Sequence, residues 1–567
     1  MRGFIATILL TISLQVTGQT VWENHNAPVY GYLSRMAMKG HIELNDIILP
    51  ISRGKILEHL DTLQTKQLSA IEKKELGFYL QEYKAGFNRS ATKEFSSPQN
   101  HNSNPQPSSI IHLPSALSPH PSSLSIFKKD PWGRFRSLGV NNKDFKLFID
   151  PIIGVQQTAG TPSQYRTLSN GINLWGQTGR LGFQLYYRDF GLTGSGLKLL
   201  NRENPNTAFI ELFNVDPNKL NHNEVKAHIS YTWKNGSISV GKDHLLWGYG
   251  ESGKIVLSDR APSFPYMRLD YQPLKWMSFN YTHAWLNSNI LDTLRTYGTG
   301  TSGVIGDVRI RYIPKFMAHH SVSFLPMKGL TLSIGESMVY SDKLDIGFLI
   351  PVMFFKPYDN NRSNYVINAG SNAQFFFQAS ARNLIKNTHF YSTVFIDEIR
   401  LSSIFNSQKA RNQLGITAGM SVTDCLLPYL TIGAEYTRVN PFVYNNLIPA
   451  QHYSQYNYSL GDWMGNNFDR AVFMMKYTPI PKLRLEMRLQ KIRKGGPGTL
   501  LQQYEAEPQP PFLFDFQKNR TDMSFNVQYE WINNLYLFGR LLSTKQSPVN
   551  TTSTMNRQLT IGMSYGL

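Results

Sequence analysis

The chain has 567 residues, 57 Lys and Arg against 39 Asp and Glu for a formal net charge of +18, few charged residues overall (17%) and many aromatic ones (13%). Beyond the N-terminal segment no stretch reaches the roughly 18 to 20 apolar residues of a spanning helix, which excludes a helical membrane protein. If the chain crosses a bilayer, its backbone must be satisfied between the strands of a closed barrel. The single cysteine excludes an intramolecular disulfide.

The N-terminus runs from Met1, Arg2 and Gly3 through apolar Phe4, Ile5, Leu9, Leu10 and Leu14 to small residues around Val16 and Gly18, the pattern of a secretory signal over residues 1–18. Its apolar part is too short to span a membrane, and no Cys follows the cut to carry a lipid.

Residues 19–87 read as a small helical domain. Val29, Tyr30, Leu33, Met36 and Ala37 recur at helical spacing and Gly40 can close that helix. Ser52 can cap a second carrying Ile56, Leu57, Leu60 and Leu63. Ser69 with Glu72 forms a capping box for a third carrying Leu76, Tyr79, Leu80 and Tyr83. Residues 88–145 are a linker and lead-in dominated by Ser, Pro and Asn. His101, His112 and His120 lie there without a Cys or carboxylate at ligand spacing, so neither a metal nor a cofactor is expected.

From residue 146 to 567 the period changes from 3.6 to 2. Leu181, Phe183, Leu185 and Tyr187 alternate with Gln184 and Arg188, and Ala227, Ile229, Tyr231 and Trp233 alternate with Lys226, His228, Ser230 and Thr232. The same holds for Leu430, Ile432, Ala434 and Tyr436, and for Leu483, Leu485, Met487 and Leu489 against Arg484, Glu486 and Arg488. Eight tight turns, such as Asn235-Gly236 and Asn533-Asn534, alternate with nine excursions of roughly 12 to 34 residues, among them 158–170, 342–373, 440–468 and 545–556. Seventeen connections give about 18 strands, and the sorting of turns to one side and loops to the other is that of an outer-membrane antiparallel barrel. A soluble β-propeller would show a blade-length repeat, and none is present. With the apolar face toward lipid, Arg180, Arg188, Lys226, Arg484 and Arg488 should line the lumen. For an exported barrel the positive charge points to lipopolysaccharide phosphates or acidic glycans and away from nucleic acid.

No enzyme constellation stands out: there is no nucleophile elbow, no zinc-protease helix and no phosphate-binding loop between strand and helix. Cys425 reads as a thiol packed beside a turn, and His319-His320 as interface or lumen residues. The loop 440–468 concentrates Tyr444, His452, Tyr453, Tyr456, Tyr458, Asp462 and Trp463, rings that stack on sugar faces beside groups that hydrogen-bond hydroxyls. The alternative is an ordered aromatic loop folded into the barrel mouth.

Three places resemble the capsule assembly Wzi family. They are Pro28 to Gly40 with Leu49 to Arg53 and Leu80 to Tyr83; Gly241 to Gly250 with Leu257 to Pro265; and Ala434 to Thr437 with Tyr458 to Gly461 and Gly465. The resemblance implies an 18-stranded barrel with a periplasmic helical bundle, and lectin-like, non-enzymatic anchoring or assembly of capsular or other surface polysaccharide. Outer-membrane lipid, lipopolysaccharide and the barrel assembly machinery are the further partners expected. The chain ends at Leu567 with Tyr565 two residues back, where many such barrels end in an aromatic. The alternative function is a porin-like diffusion channel for small anionic or sugar solutes, since a barrel of this size is wide enough for an aqueous pore.

Overall fold

The computed structural model describes residues 21–84, 123–130, 134–142, 144–201, 204–212, 215–300, 307–363, 370–399, 406, 409 and 411–566. The expected signal segment, most of the linker and its three histidines lie outside the described residues.

Period-two alternation resolves into eighteen barrel strands. These are β1 (Phe145–Gly160), β2 (Gln164–Thr178), β3 (Leu181–Ser195), β4 (Lys219–Trp233), β5 (Gly236–Asp243), β6 (Phe264–Leu274), β7 (Met277–Leu291), β8 (Tyr312–Met327) and β9 (Leu330–Ser341). They continue with β10 (Asn372–Arg382), β11 (Thr388–Ile399), β12 (Asn412–Thr423), β13 (Leu430–Val439), β14 (Phe468–Ile480), β15 (Leu483–Lys494), β16 (Lys518–Ile532), β17 (Leu535–Pro548) and β18 (Thr554–Tyr565). Every neighbouring pair is antiparallel, and β18 closes the barrel on β1 from Tyr565↔Ile153 to Gln558↔Gly160. Closure satisfies every strand edge, the condition for placing backbone in lipid.

The faces follow the sequence. Leu181, Leu185 and Tyr187 on β3 and Ile229 and Tyr231 on β4 are exposed on the outer wall, while His228, Ser230 and Thr232 are buried inside. Tight connections at one end include residues 234–235 and 328–329; at the latter Gly329 holds φ +79°, and a Cβ there would collide with the Arg382 carbonyl. Two expected excursions are shorter than their composition suggests. Residues 158–170 and 545–556 are mostly strand, leaving only 161–163 and 549–553 as connections, because polar residues such as Gln156, Gln157 and Thr158 continue the ladder above the apolar band.

Three helices, α1 (Val29–Met38), α2 (Arg53–Gln64) and α3 (Ala70–Tyr83), pack around Leu33, Met36, Ile56, Leu60, Leu63 and Leu76. Ser52 caps α2 and the Ser69–Glu72 capping box opens α3. The domain seals the barrel end that carries the tight turns. Arg382 grips Asp46 at 2.8 and 2.9 Å and the Leu44 carbonyl at 3.0 Å, Lys39 reaches Asp424 at 2.7 Å, and Arg268 lies over Trp22 at 3.9 Å. A hairpin of Ser123–Lys129 and Phe135–Asn141, within the expected linker and lead-in, extends the wall beside the lower half of β1. Its Arg134 and Arg136, with Arg53 of α2, converge on Glu82 of α3 at 3.2, 3.0 and 2.8 Å. Burial alone would raise the Glu82 carboxyl, but Arg136, Arg53 and Arg134 outweigh it and hold it well below the usual carboxylate range. Cys425 is exposed in the turn after β12 rather than packed beside it.

Candidate ligand cavity in the barrel lumen

Two long loops turn inward and fill much of the lumen. Residues 244–263 contribute Leu245, Trp247, Ile255 and Val256, and residues 440–467 contribute Val443, Tyr453, Leu460 and Met464, to one core with Met317, Val339, Phe376 and Phe395 of the wall. Ile48 and Leu49 of the helical domain pair with Trp247 and Leu246, so domain and plug share a short sheet.

This packing takes up four of the residues expected at a sugar site. Tyr444 donates its hydroxyl to the Ile255 carbonyl (2.7 Å) and accepts from the Asp462 amide, and Tyr453 donates to the Val256 carbonyl (2.8 Å). Trp463 donates to the Ser252 carbonyl (2.7 Å), and Asp462 accepts from both terminal nitrogens of Arg470 at 3.0 and 2.7 Å, with neither side chain exposed. These four residues fasten one inward loop to the other and to the wall, with their polar atoms used internally. The ordered loop folded into the mouth is what the aromatic composition encodes at these positions. His452 is half-buried, its Nδ1 accepting from the Asn446 amide, and half-buried Tyr458 lies 5.0 Å from the Arg260 guanidinium. Tyr456 alone of the seven lines the cavity beside the plug.

That cavity, about 1130 Å³, lies between the plug, the inner wall and the helical domain. Its roof is Phe209 and Asn206 of the loop after β3 together with Tyr456. Its floor is Tyr79, Glu82 and Tyr83 of α3. Along its wall Phe190 of β3 and His222 of β4 are direct cross-strand partners, their rings stacked at 4.5 Å and 13°, and Phe209 stacks on the other face of His222 at 4.1 Å and 13°. Arg188 sits 5.1 Å from the Phe190 centroid and donates to Ser169 and Ser564 at 3.0 and 3.1 Å; among the described residues no carboxylate pairs with it. Lys226 is held by Glu224 at 3.0 Å and Asp243 at 3.7 Å, and Glu224 also meets His244 at 3.3 Å. Nearby His25 hydrogen-bonds Asp259 at 3.1 Å; burial works against that carboxylate, but His25 outweighs it and brings it down to about 2. With both faces of His222 stacked and Arg188 over Phe190, the cavity offers the outer ring face of Phe209, the Tyr456 ring, fixed donors and fixed acceptors to a neutral or anionic polyol.

Of the five expected lumen cations, Arg188, Lys226 and Arg484 line the cavity. Arg484 also meets the Tyr79 hydroxyl at 3.3 Å, and Arg488 is tied to Glu486 at 2.9 Å away from the cavity lining. Arg180 is a correction. It lies in the turn after β2 and reaches Tyr231 on the outer face at 3.4 Å, because the tight turn removes it from the alternation of the strand that follows. Phe190, Phe209 and His222 were not singled out in the sequence. The β3–β4 register that pairs two of them, and the return of a loop over them, join residues on three separate segments.

The family model for capsule assembly protein Wzi matches residues 214–539. Among solved structures, the barrel resembles Wzi of Escherichia coli, an outer-membrane protein involved in group 1 capsule assembly and described as a carbohydrate-binding β-barrel. That likeness has a TM-score of 0.57 at 12% identity, covering 97% of this chain and 100% of that one, and shows the fold. Weaker likenesses link it to Pseudomonas aeruginosa OccK3 (TM-score 0.40, 13% identity, 75% of this chain and 96% of that one) and OprD (0.42, 8%, 74% and 94%). No curated protein sequence matches the chain.

Proposed function

Since it matches the family model over more than half its residues, the chain belongs to the capsule assembly protein Wzi family, and from that premise we propose that it is a non-enzymatic outer-membrane protein that binds capsular or other surface polysaccharide and helps to anchor or assemble it. The loop end faces outward and the helical domain the periplasm, the arrangement in which the tight turns lie inside. The observation that carries the reading is the stack of Phe190, His222 and Phe209 on the cavity wall, roofed by Tyr456 and flanked by Arg188, Lys226 and Glu224. The outer face of Phe209, whose inner face lies on His222, and the Tyr456 ring receive the apolar face of a pyranose while the charged groups take its hydroxyls or carboxylates.

The filled lumen supports an anchor over a diffusion channel, because the plug core and the helical domain occupy the path a solute would follow. Lipopolysaccharide around the wall and the barrel assembly machinery, which would meet the last strand ending at Tyr565, are proposed as further partners. The test is titration of the purified full chain with fragments of the host's own surface glycan, alongside planar-bilayer conductance. Saturable binding with silent bilayers is expected. Steady single-channel conductance with no binding would restore the porin reading.

A further inference from the structure

Residues 342–363, in the connection between β9 and β10, turn outward, unlike the two loops that form the plug. On β7, β8 and β9 the residues Ala284, Met317 and Val339 pack on the plug, so the alternate side chains Tyr281, Phe316, His320, Glu336, Met338 and Tyr340 point away from the lumen. Facing lipid, they would be exposed. Instead Tyr281, Met338 and Tyr340 are at most 1% exposed and Glu336 only 2%. Residues 342–363 cover them.

This segment is a short 3₁₀ turn (Ile346–Leu349) followed by a helix (Phe355–Ser363), and its Phe348 and Phe355 are fully buried against the outer wall. Tyr281 donates to the Phe348 carbonyl at 2.8 Å, and Glu336 accepts from the amides of Phe355 and Lys356 at 2.9 and 2.6 Å, so a wall carboxylate holds the helix N-terminus. His320 meets the Pro351 carbonyl at 3.1 Å and stacks on Phe355 at 4.4 Å. The segment's own outer side is apolar, with Leu344, Ile346, Ile350, Val352 and Phe354 exposed, Ile346 by 76% and Val352 by 81%. Leu332 and Ile334 are exposed directly below on β9, so the apolar band passes from wall to segment without a break. Lys343 and Lys356 flank the exposed apolar run, and neither forms an ion pair among the described residues.

We propose that residues 342–363 form a strap seated in the membrane, whose apolar side docks on the acyl chains of the lipid leaflet at the loop end, with Lys343 and Lys356 meeting anionic headgroups. A loop that sequence places outside the cell is then part of the lipid-facing wall. An uncovered carboxylate at Glu336 would be costly at that depth, and the strap both hydrogen-bonds it and replaces it with an apolar surface. The inference rests on the barrel lying in a bilayer and is independent of the glycan reading.

The test is spin-label accessibility on the full chain, with Cys425→Ser removing the native thiol and Val352→Cys carrying a nitroxide, in phosphatidylglycerol-containing vesicles. Ile229→Cys, on the exposed outer face of β4, is the control for membrane seating. The expected result is that both labels are relaxed several-fold more by oxygen than by a water-soluble nickel chelate. A chelate-accessible label at 352 beside a lipid-accessible one at 229 would overturn the strap. So would dipolar broadening at 352 with low access to both reagents, which would assign the face to a second copy. Chelate access at both positions would overturn the membrane seating itself.

Discussion

Asp462→Asn isolates the fastening of the plug. Asp462 and Arg470 form a bidentate pair with neither side chain exposed, Asp462 on the inward loop and Arg470 on β14. Removing one charge of such a pair leaves the other buried and uncompensated, at a cost of about 3–5 kcal/mol. Asn can still accept the Met464 amide, which Asp462 now takes at 3.0 Å, so the lower end, about 3 kcal/mol, is the figure expected. At about 1.4 kcal/mol per tenfold, the locally open plug becomes roughly a hundredfold more populated. The assay is thiol labelling at Leu460→Cys in a Cys425→Ser background, since Leu460 is fully buried in the plug core and labels only through opening. Labelling of the Asp462→Asn chain should accelerate by about two orders of magnitude, while Asp462→Leu combined with Arg470→Met, which removes both charges, should recover most of the protection. Labelling within threefold of the parent would refute the assignment of Asp462 to the plug.

Further outcomes follow from the same geometry. Phe209→Ala and Tyr456→Ala should each weaken glycan binding by about 2- to 13-fold, the value of one ring stack, as read by calorimetry. Tyr453→Phe should leave affinity unchanged and lower stability by about 1 kcal/mol through loss of the bond to the Val256 carbonyl, measured by thermal unfolding. The Glu82 carboxyl is held below its unfolded value by three arginines. Its contribution is therefore complete above the ordinary carboxylate value of about pH 4.3 and is lost progressively as pH falls from there through the lower folded value. Protease cleavage of the helical domain should stay slow down to about pH 4.3 in the parent and be faster already at neutral pH in Glu82→Gln.

The barrel was legible because its physics is periodic. Alternation on Leu181 to Arg188 or Lys226 to Trp233 records a lipid face and an inner face residue by residue, and tight turns mark every second connection. The helices were legible through local signals, the Ser52 cap and the Ser69–Glu72 box, which need no tertiary partner. The limits of legibility lie where a loop's destination decides a residue's role. Tyr444, Tyr453, Asp462 and Trp463 carry the composition of a sugar platform, yet the loop folds inward and neighbouring carbonyls and Arg470 take their polar atoms. Residues 342–363 carry the composition of an external loop and lie along the outer wall, because Phe348 and Phe355 find apolar cover there. Phe190, His222 and Phe209 become a site only once β3 pairs with β4 and a loop returns over both.

The central claim is that a surface glycan is held on that ring stack. Calorimetric titration of the full chain and of the Phe209→Ala, Tyr456→Ala double variant with host surface-glycan fragments tests it most directly. Saturable binding by the parent and at least about a fourfold loss, the combined minimum of two ring stacks, in a double variant of unchanged melting temperature is the predicted result. Equal affinity in both chains, or no binding by the parent to any host glycan, would contradict it.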